Sequence, residues 1–196
     1  METKISILLL DDLEIHFNKI QQIITQILKE DCDIDADFIY TYNENEQITK
    51  YEDGNGYYHK SRYGGSANVK ASNLNKLNNL LQKIQSPQNV IAVIDINWDD
   101  SNDANRYGRD FFENHLTGKI LPTNTIFVSF IEETDLGQDL TLGFKFVPKK
   151  RINENGNEVE LSEIFKTEIK NALCSTKVLS EGPEEEEGHE GLGSNI

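Results

Sequence analysis

The stretch Val90–Asp95 constrains the fold of this chain more than any other part of its sequence. Five consecutive apolar residues, four of them β-branched, lead directly into an aspartate. Such a run is typical of a strand that is buried on both faces of a parallel sheet. Because ligands of open α/β sheets bind beyond the carboxyl ends of the strands, Asp95 is predicted to take part in chemistry rather than in packing.

Four further β-forming runs alternate with helical patterns along the chain. They are Ile5–Leu10, 35–42, Thr125–Ser129 and 144–148. Apolar residues at helical spacing predict a first helix of about 15 residues behind the first strand. Similar patterns predict helices at 74–84 and 161–175. Further helices are expected at 107–116 and, as a short polar stretch without a strong apolar stripe, at 132–142. In the helix at 161–175, five residues are predicted to face inward: Ile164, Phe165, Ile169, Ala172 and Leu173. This alternation predicts a parallel sheet covered by helices on both faces, with the polar second strand at an edge.

An irregular stretch at about 43–71 interrupts the alternation. Within it, β-forming residues at 47–51 and 57–60 flank turn residues at 53–56, a pattern that predicts an inserted β-hairpin. The hairpin would be either a surface for a partner or an insertion without a role of its own. The sequence leaves both interpretations open.

The net charge of −15 is distributed unevenly. The tail at 179–196 carries six glutamates and no lysine or arginine, so about −9 remains on the rest of the chain. An excess of negative charge argues against direct binding to nucleic acid or to anionic membranes. The tail is predicted to be disordered or to act as an acidic interaction arm. The sequence therefore divides into one domain at 1–178 and an acidic tail at 179–196.

The two cysteines, Cys32 and Cys174, lie far apart in the sequence and match no metal-ligand spacing. They are predicted to be reduced thiols of a cytosolic protein. The first residues lack the layout of a signal peptide, and no apolar run approaches the length of a membrane span. We therefore expect a cytoplasmic protein.

Polar side chains follow the ends of four predicted strands. Asp11 and Asp12 follow the first strand, and Asp95 ends the central one. Ser129 ends the fourth, and Lys149 follows the fifth. Three carboxylates at one edge of a sheet repel one another unless a cation neutralises them, and an oxygen-only set suits a hard ion such as Mg²⁺. The hydroxyl and the ammonium group would bind phosphoryl oxygens. Together these groups predict phosphoryl transfer to a carboxylate.

The three acids are predicted to have different roles. Asp95, on the central strand, would be the nucleophile. Asp12 would be a direct metal ligand and Asp11 an outer-sphere or second ligand. The backbone carbonyl of Asn97 would be a further point of contact with the metal.

Four motifs in this order resemble the receiver domain of two-component response regulators. They are Leu-Asp-Asp at 10–12, Val-Ile-Asp at 93–95, Val-Ser at 128–129 and Phe-Val-Pro-Lys at 146–149. The likeness covers most of the chain between residues 5 and 175, with 43–71 as additional material.

The resemblance implies a flavodoxin-like, doubly wound α/β fold with five parallel strands in the order 2-1-3-4-5. It implies that a histidine kinase or histidine phosphotransfer protein of a phosphorelay donates a phosphoryl group to Asp95 in the presence of Mg²⁺. It also implies a switch in which Ser129 moves toward the phosphate and Phe146 turns inward. The protein would be a phosphoacceptor rather than an enzyme, would act on a downstream protein target, and could form a homodimer.

Several residues depart from the receiver pattern. Trp98 and Asp99 stand where receivers have Met-Pro, Phe130 replaces a small residue, and Lys150 replaces a proline. These departures keep open a pseudo-receiver that binds its partners constitutively. A metal-dependent phosphohydrolase is a further alternative, although a haloacid dehalogenase-type phosphatase would need a second acid at Asn97.

Each site residue also has a plain structural interpretation. Asp11 and Asp12 could cap the first helix. Lys149 could belong to a solvated basic patch, and Phe146 could simply be a core residue. Trp98 could gate the pocket or pack on its loop. The histidines are assigned no catalytic role: His16, His59 and His115.

Overall fold

The computed structural model describes residues 5–34, 36–49, 71–84, 87–98, 107–129, 143–149 and 163–181. Five strands form one sheet within these residues: β1 (Ile5–Leu10), β2 (Ala36–Phe38), β3 (Val90–Asp95), β4 (Thr125–Ser129) and β5 (Lys145–Pro148). Their order is β2-β1-β3-β4-β5, and every neighbouring pair is parallel. This confirms the predicted flavodoxin-like arrangement.

In the described part of the chain, six α-helices accompany the sheet: α1 (Glu14–Cys32), α2 (Tyr42–Thr49), α3 (Ala71–Lys83), α4 (Tyr107–Phe111), α5 (Glu163–Cys174) and α6 (Lys177–Glu181). A π-helical segment, Phe112–Leu116, continues α4. Short 3-10 turns at Pro87–Asn89 and Pro122–Asn124 lead into β3 and β4. Among the described residues, none of these helices has both the length and the apolar composition that crossing a membrane requires.

The central strand β3 is buried along its whole length, as its sequence predicted. Alternate residues of a strand face opposite sides of the sheet, so β3 contributes to two cores. Ile91 and Val93 join a core with residues of α1, α5 and α6. Ala92 and Ile94 join an aromatic-rich core on the other face, with residues of α2, α3 and α4. Burying each larger aliphatic side chain contributes about 1.5–3 kcal/mol, which explains why this strand anchors the sheet.

Strand β2 is shorter than the predicted strand at 35–42. Only Ala36–Phe38 pairs with β1, and Tyr42 already begins α2. The predicted position at an edge of the sheet is confirmed.

The prediction of a first hairpin arm at 47–51 is wrong for residues 47–49, because the structure places them in α2. Asn45 and Ile48 are three residues apart, which places them on the same side of a helix, and both are fully buried. This burial outweighs the β-propensity of the short segment. The irregular stretch thus excludes 43–49, and the turn and second arm at 53–60 lie outside the described residues.

Helix α5 confirms four of the five residues predicted to face inward, and Ile164 is the exception. Ile164 is 54% exposed, whereas Phe165 is fully buried. Successive residues of a helix are about 100° apart, so the residue before Phe165 turns away from the stripe formed by the other four.

Helix α6 was not predicted, and it crosses the proposed boundary at 178/179. Val178 is buried, and its N–H donates to the side-chain oxygen of Asn124 at 3.3 Å. Residues 179–181 are therefore helical, while 182–196 lie outside the described residues. The predicted helix at 132–142 also lies outside them.

Candidate functional site

Three carboxylates meet at the carboxyl edge of the sheet. β1 and β3 are neighbours in register, with Leu10 opposite Ile94, so the acids that follow Leu10 lie beside Asp95. Carboxylate oxygens of Asp11, Asp12 and Asp95 all lie within 4.8 Å of one another. Asp11 and Asp95 are buried, and Asp12 is partly exposed. The structure thus brings together the three acids that the sequence singled out.

Lys149 lies between two of these acids. Its Nζ is 2.5 Å from Oδ2 of Asp11 and 3.0 Å from Oδ2 of Asp95, and its side chain is fully buried. The backbone N–H of Lys149 donates to the carbonyl oxygen of Ser129 at 2.6 Å, which fixes the end of β5 against β4. The interpretation of Lys149 as part of a solvated patch is therefore wrong, because the site encloses the lysine.

Burial and charge act against each other in this cluster. Burial raises the pKa of Asp95 well above its usual value, Asp11 and Asp12 add to the increase, and the attraction of Lys149 opposes it. For Lys149, burial alone lowers the pKa, but the charges of Asp11 and Asp95 outweigh it, so the pKa is raised. The lysine therefore stays charged, and Asp95 gains a proton more readily than an exposed aspartate.

Asp11 has further contacts besides Lys149. Its Oδ1 accepts the N–H of Leu13 at 2.9 Å and lies 4.0 Å from Nδ1 of His16, which is buried. The residue that precedes α1 is Leu13, which makes no side-chain capping bond. Asp11 thus shapes the turn into α1, but capping alone does not explain its bond to Lys149. His16 lies in the first turn of α1, near the acids, as its position in the sequence indicated.

Ser129 and Asn97 are linked across the ends of β4 and β3. The fully buried hydroxyl of Ser129 donates to the side-chain oxygen of Asn97. Phe146, the predicted switch aromatic, is half-buried and packs against the aromatic-rich core. Its packing agrees with the interpretation as a core residue, and its switching role remains a prediction.

Trp98 does not line the mouth of the site. Its side chain is fully buried, and its ring lies 5.4 Å from that of Phe111 in α4. The ring of Phe111 in turn lies 5.2 Å from that of His115. Trp98 therefore anchors the loop after β3 to the core, which answers the question that the sequence left open. Phe130 and Lys150 lie outside the described residues.

Gly108 allows α4 to approach the backbone of Asp95. A Cβ at this position would lie 1.7 Å from the carbonyl oxygen of Asp95. The N–H of Gly108 donates to the carbonyl oxygen of Ile96 at 3.0 Å. Any larger residue would displace either the helix or the end of β3, a requirement that the sequence pattern did not reveal.

Helix α2 also contacts the site. The side-chain amide of Asn45 donates to the carbonyl oxygen of Asp11 at 2.8 Å, and the hydroxyl of Tyr42 donates to that of Asp12 at 3.5 Å. The sequence missed both residues, because it assigned Tyr42 to the predicted strand at 35–42 and Asn45 to the irregular stretch that follows.

The two cysteines are neighbours at the far ends of α1 and α5, away from the acids. Both are free thiols. Burial raises the pKa of the Cys32 thiol, and the adjacent Cys174 adds to the increase. Their separation in the sequence concealed this contact.

The site fits a hard divalent cation. Among the described residues, none donates a hydrogen bond to Oδ1 of Asp95, although this oxygen is buried. Together with Asp11 and Asp12, it offers an oxygen-only set of the kind that Mg²⁺ prefers. Asp11, Asp12 and Asp95 are thus able to hold a metal ion.

Comparisons of the chain with protein-family models, with curated proteins and with solved structures gave no significant match. The similarity to receiver domains accordingly rests on the fold and on the residues at the edge of the sheet.

Proposed function

We propose that this protein is a phosphoacceptor signalling domain of a two-component-type system, which takes a phosphoryl group on Asp95. The observation that carries the proposal is the placement of Asp95. It ends the buried central strand, within 4.8 Å of Asp11 and Asp12 and 3.0 Å from the ammonium group of Lys149. A nucleophilic carboxylate beside further acids and a lysine is the set that phosphoryl transfer to aspartate requires.

In the proposed reaction, a carboxylate oxygen of Asp95 attacks the phosphorus atom of a phosphohistidine on the donor. The new O–P bond forms as the P–N bond of the donor breaks, and the imidazole leaves. Asp95 must be ionised to attack, and burial opposes this by raising its pKa. Lys149 counters that effect and can pair with an oxygen of the transferred group.

The acids would hold the metal ion that this chemistry needs. Asp12 and Asp95 would be direct ligands, Asp11 an outer-sphere or second ligand, and the backbone carbonyl of Asn97 a further ligand. Bound Mg²⁺ would neutralise charge on the phosphoryl oxygens. Asp11 would at the same time keep Lys149 oriented, through the 2.5 Å contact between them.

Ser129 would link phosphorylation to a change of shape. Its hydroxyl now donates to Asn97. A phosphoryl group on Asp95 would offer a stronger, charged acceptor, so Ser129 would leave Asn97 and move toward the phosphate. The half-buried Phe146 would turn inward in the same transition, which shifts the population between two conformations and alters a surface for a partner.

The protein would not be an enzyme beyond accepting and losing its own phosphoryl group. A histidine kinase or histidine phosphotransfer protein would be the donor, and a protein in the cytoplasm would be the target. The net charge of −15 opposes direct contact with nucleic acid or with anionic membranes. The protein could form a homodimer.

Beryllofluoride, which mimics a phosphoryl group on aspartate, tests the proposal directly. Fluorine NMR of the wild-type protein with beryllofluoride and Mg²⁺ should show a bound signal that disappears when Mg²⁺ is removed. Asp95→Asn should lose the signal, because it lacks the attacking oxygen. Asp33→Asn is the matched control, since the side chain of Asp33 is 94% exposed, and it should keep the signal.

A pseudo-receiver is the second candidate, and one observation favours it. Lys149 already pairs with Asp11 and Asp95, so the buried charges are partly compensated without a metal ion. A folded wild-type protein that shows no bound signal at saturating Mg²⁺ would rule out phosphoacceptance and favour this candidate.

A further inference from the structure

Helix α2 holds the backbone of both acids that follow β1. The side-chain amide of Asn45 donates to the carbonyl oxygen of Asp11 at 2.8 Å, and both residues are fully buried. The hydroxyl of Tyr42 donates to the carbonyl oxygen of Asp12 at 3.5 Å. These two bonds use the carbonyl groups of the loop and leave the carboxylates for the site.

The helix that makes these contacts is itself firmly anchored. Ile48 is fully buried in the aromatic-rich core. At the other end of α2, Nζ of Lys83 in α3 lies 3.2 Å from the carbonyl oxygen of Ile39 and 3.3 Å from the carboxylate of Glu44. The contact of Lys83 with Glu44 is exposed and contributes little, so the burial of Ile48 is what allows α2 to act as a fixed support for the loop.

The bond from Asn45 matters because it is buried. A buried carbonyl group that loses its donor is costly to leave unsatisfied, which favours rotation of the peptide plane toward another partner. Rotation of the peptide between Asp11 and Asp12 would move both carboxylates. Metal affinity is sensitive to such displacements, since partners that orient the ligands commonly affect it by about 10–100-fold.

We propose that Asn45 is a positioning residue for the metal site, through which helix α2 sets the placement of Asp11 and Asp12. The inference rests on the proposed function, because it concerns the same site. Coupling between two parts of a protein is reciprocal. A partner that moves α2 therefore weakens Mg²⁺ binding, and Mg²⁺ in turn stabilises the contact between α2 and the loop.

Titration calorimetry with Mg²⁺ alone tests this inference on Asn45→Ala. The expected result is a dissociation constant raised by roughly tenfold. Asn43→Ala is the matched control, because Asn43 is exposed on the same helix and should leave the constant unchanged. Tyr42→Phe removes only the weaker bond to Asp12 and should raise the constant by roughly twofold to threefold.

Hydrogen exchange without metal supplies the second measurement. The N–H of Leu13, which donates to Asp11, should exchange faster in Asn45→Ala, while amides in β3 keep their wild-type rates. A variant that is merely less stable would exchange faster everywhere. This measurement separates positioning from general destabilisation.

Unchanged Mg²⁺ affinity and unchanged exchange of Leu13 in a folded Asn45→Ala protein would overturn the inference. If that variant does not fold, Asn45→Leu, which keeps a similar side-chain volume but removes the donor, takes its place, and unchanged values in it have the same consequence. A wild-type protein that binds no Mg²⁺ would instead contradict the proposed metal site. The exchange of Leu13 would then still decide whether α2 positions the loop.

Discussion

Two lysine–aspartate pairs of almost equal length lie at opposite ends of the molecule. Lys149 and Asp11 are 2.5 Å apart at the carboxyl edge of the sheet, with both side chains fully buried. Lys170 and Asp31 are 2.6 Å apart where α5 and α1 end, with 45% and 32% of their side chains exposed. The comparison teaches that the distance between two charges does not decide what their contact contributes.

The surroundings of a pair of charges decide what its contact contributes to stability. At the surface, water screens both partners, and such pairs contribute little to stability. In the site, the charges have lost their water, and each depends on the others for compensation. Lys149 meets this requirement by contacting Asp95 as well as Asp11. The buried pair therefore sets the charge of the candidate site, whereas the surface pair only joins two helix ends.

The largest expected effect is that of Lys149→Met at pH 7 without metal. The variant leaves Asp11 and Asp95 buried without their cation, which should lower the free energy of unfolding by about 3–5 kcal/mol. Urea denaturation measures this loss. Mg²⁺ should restore part of it, because the metal ion supplies the missing positive charge.

Lys170→Met is the matched control for that experiment, since it makes the same substitution in the surface pair. It should change the free energy of unfolding very little. If both variants lost a similar amount of unfolding free energy, burial would not be what determines how much these pairs contribute to stability.

A smaller effect is expected from Asp95→Asn, and its pH dependence has a defined sign. The pKa of Asp95 is raised in the folded protein, so the folded state holds its proton to a higher pH than the unfolded state. Stability is lost as the pH rises from about 4 through the folded-state pKa. Because an asparagine at this position does not titrate, the variant avoids this loss and should be more stable than wild type at pH 7 without metal.

Urea denaturation between pH 4 and pH 8 checks this prediction. The stability difference between the variant and wild type should grow as the pH rises. A difference that stays constant over this range would contradict a raised pKa at Asp95.

The smallest effect concerns salt. The contact between Lys170 and Asp31 lies at the surface, so any contribution it makes should disappear at an ionic strength of about 1 M, where the screening length is about 3 Å. Any difference in the free energy of unfolding between wild type and Lys170→Met at low NaCl should therefore disappear at high NaCl. The gap between wild type and Lys149→Met should persist, because the buried pair is shielded from the added ions.

Much of the fold was predictable because its signals are local. The run of β-branched residues at Val90–Asp95 defined the central strand with its observed ends, and Thr125–Ser129 did the same for β4. Parallel strands bring their carboxyl ends to one edge. The meeting of Asp11, Asp12 and Asp95 could therefore be predicted without coordinates.

Local signals failed where burial depends on partners distant in the sequence. Residues 47–49 resemble a strand by composition, yet they form α2, which buries Ile48 against the aromatic-rich core. Trp98 had two interpretations until its contact with Phe111 was known. In both cases the neighbour that decides the conformation lies on another element.

The sequence by itself determined the order of the five strands along the chain and the acids that follow β1 and end β3, because periodicity and residue type are properties of consecutive positions. Only the tertiary structure decided that Asn45 supports Asp11, that Gly108 touches Asp95, and that Lys149 is enclosed rather than solvated. Asn45 and Asp11 are 34 positions apart, and Lys149 and Asp11 are 138 apart. Contacts over such separations arise from the packing of whole elements, and no local pattern of residues encodes them.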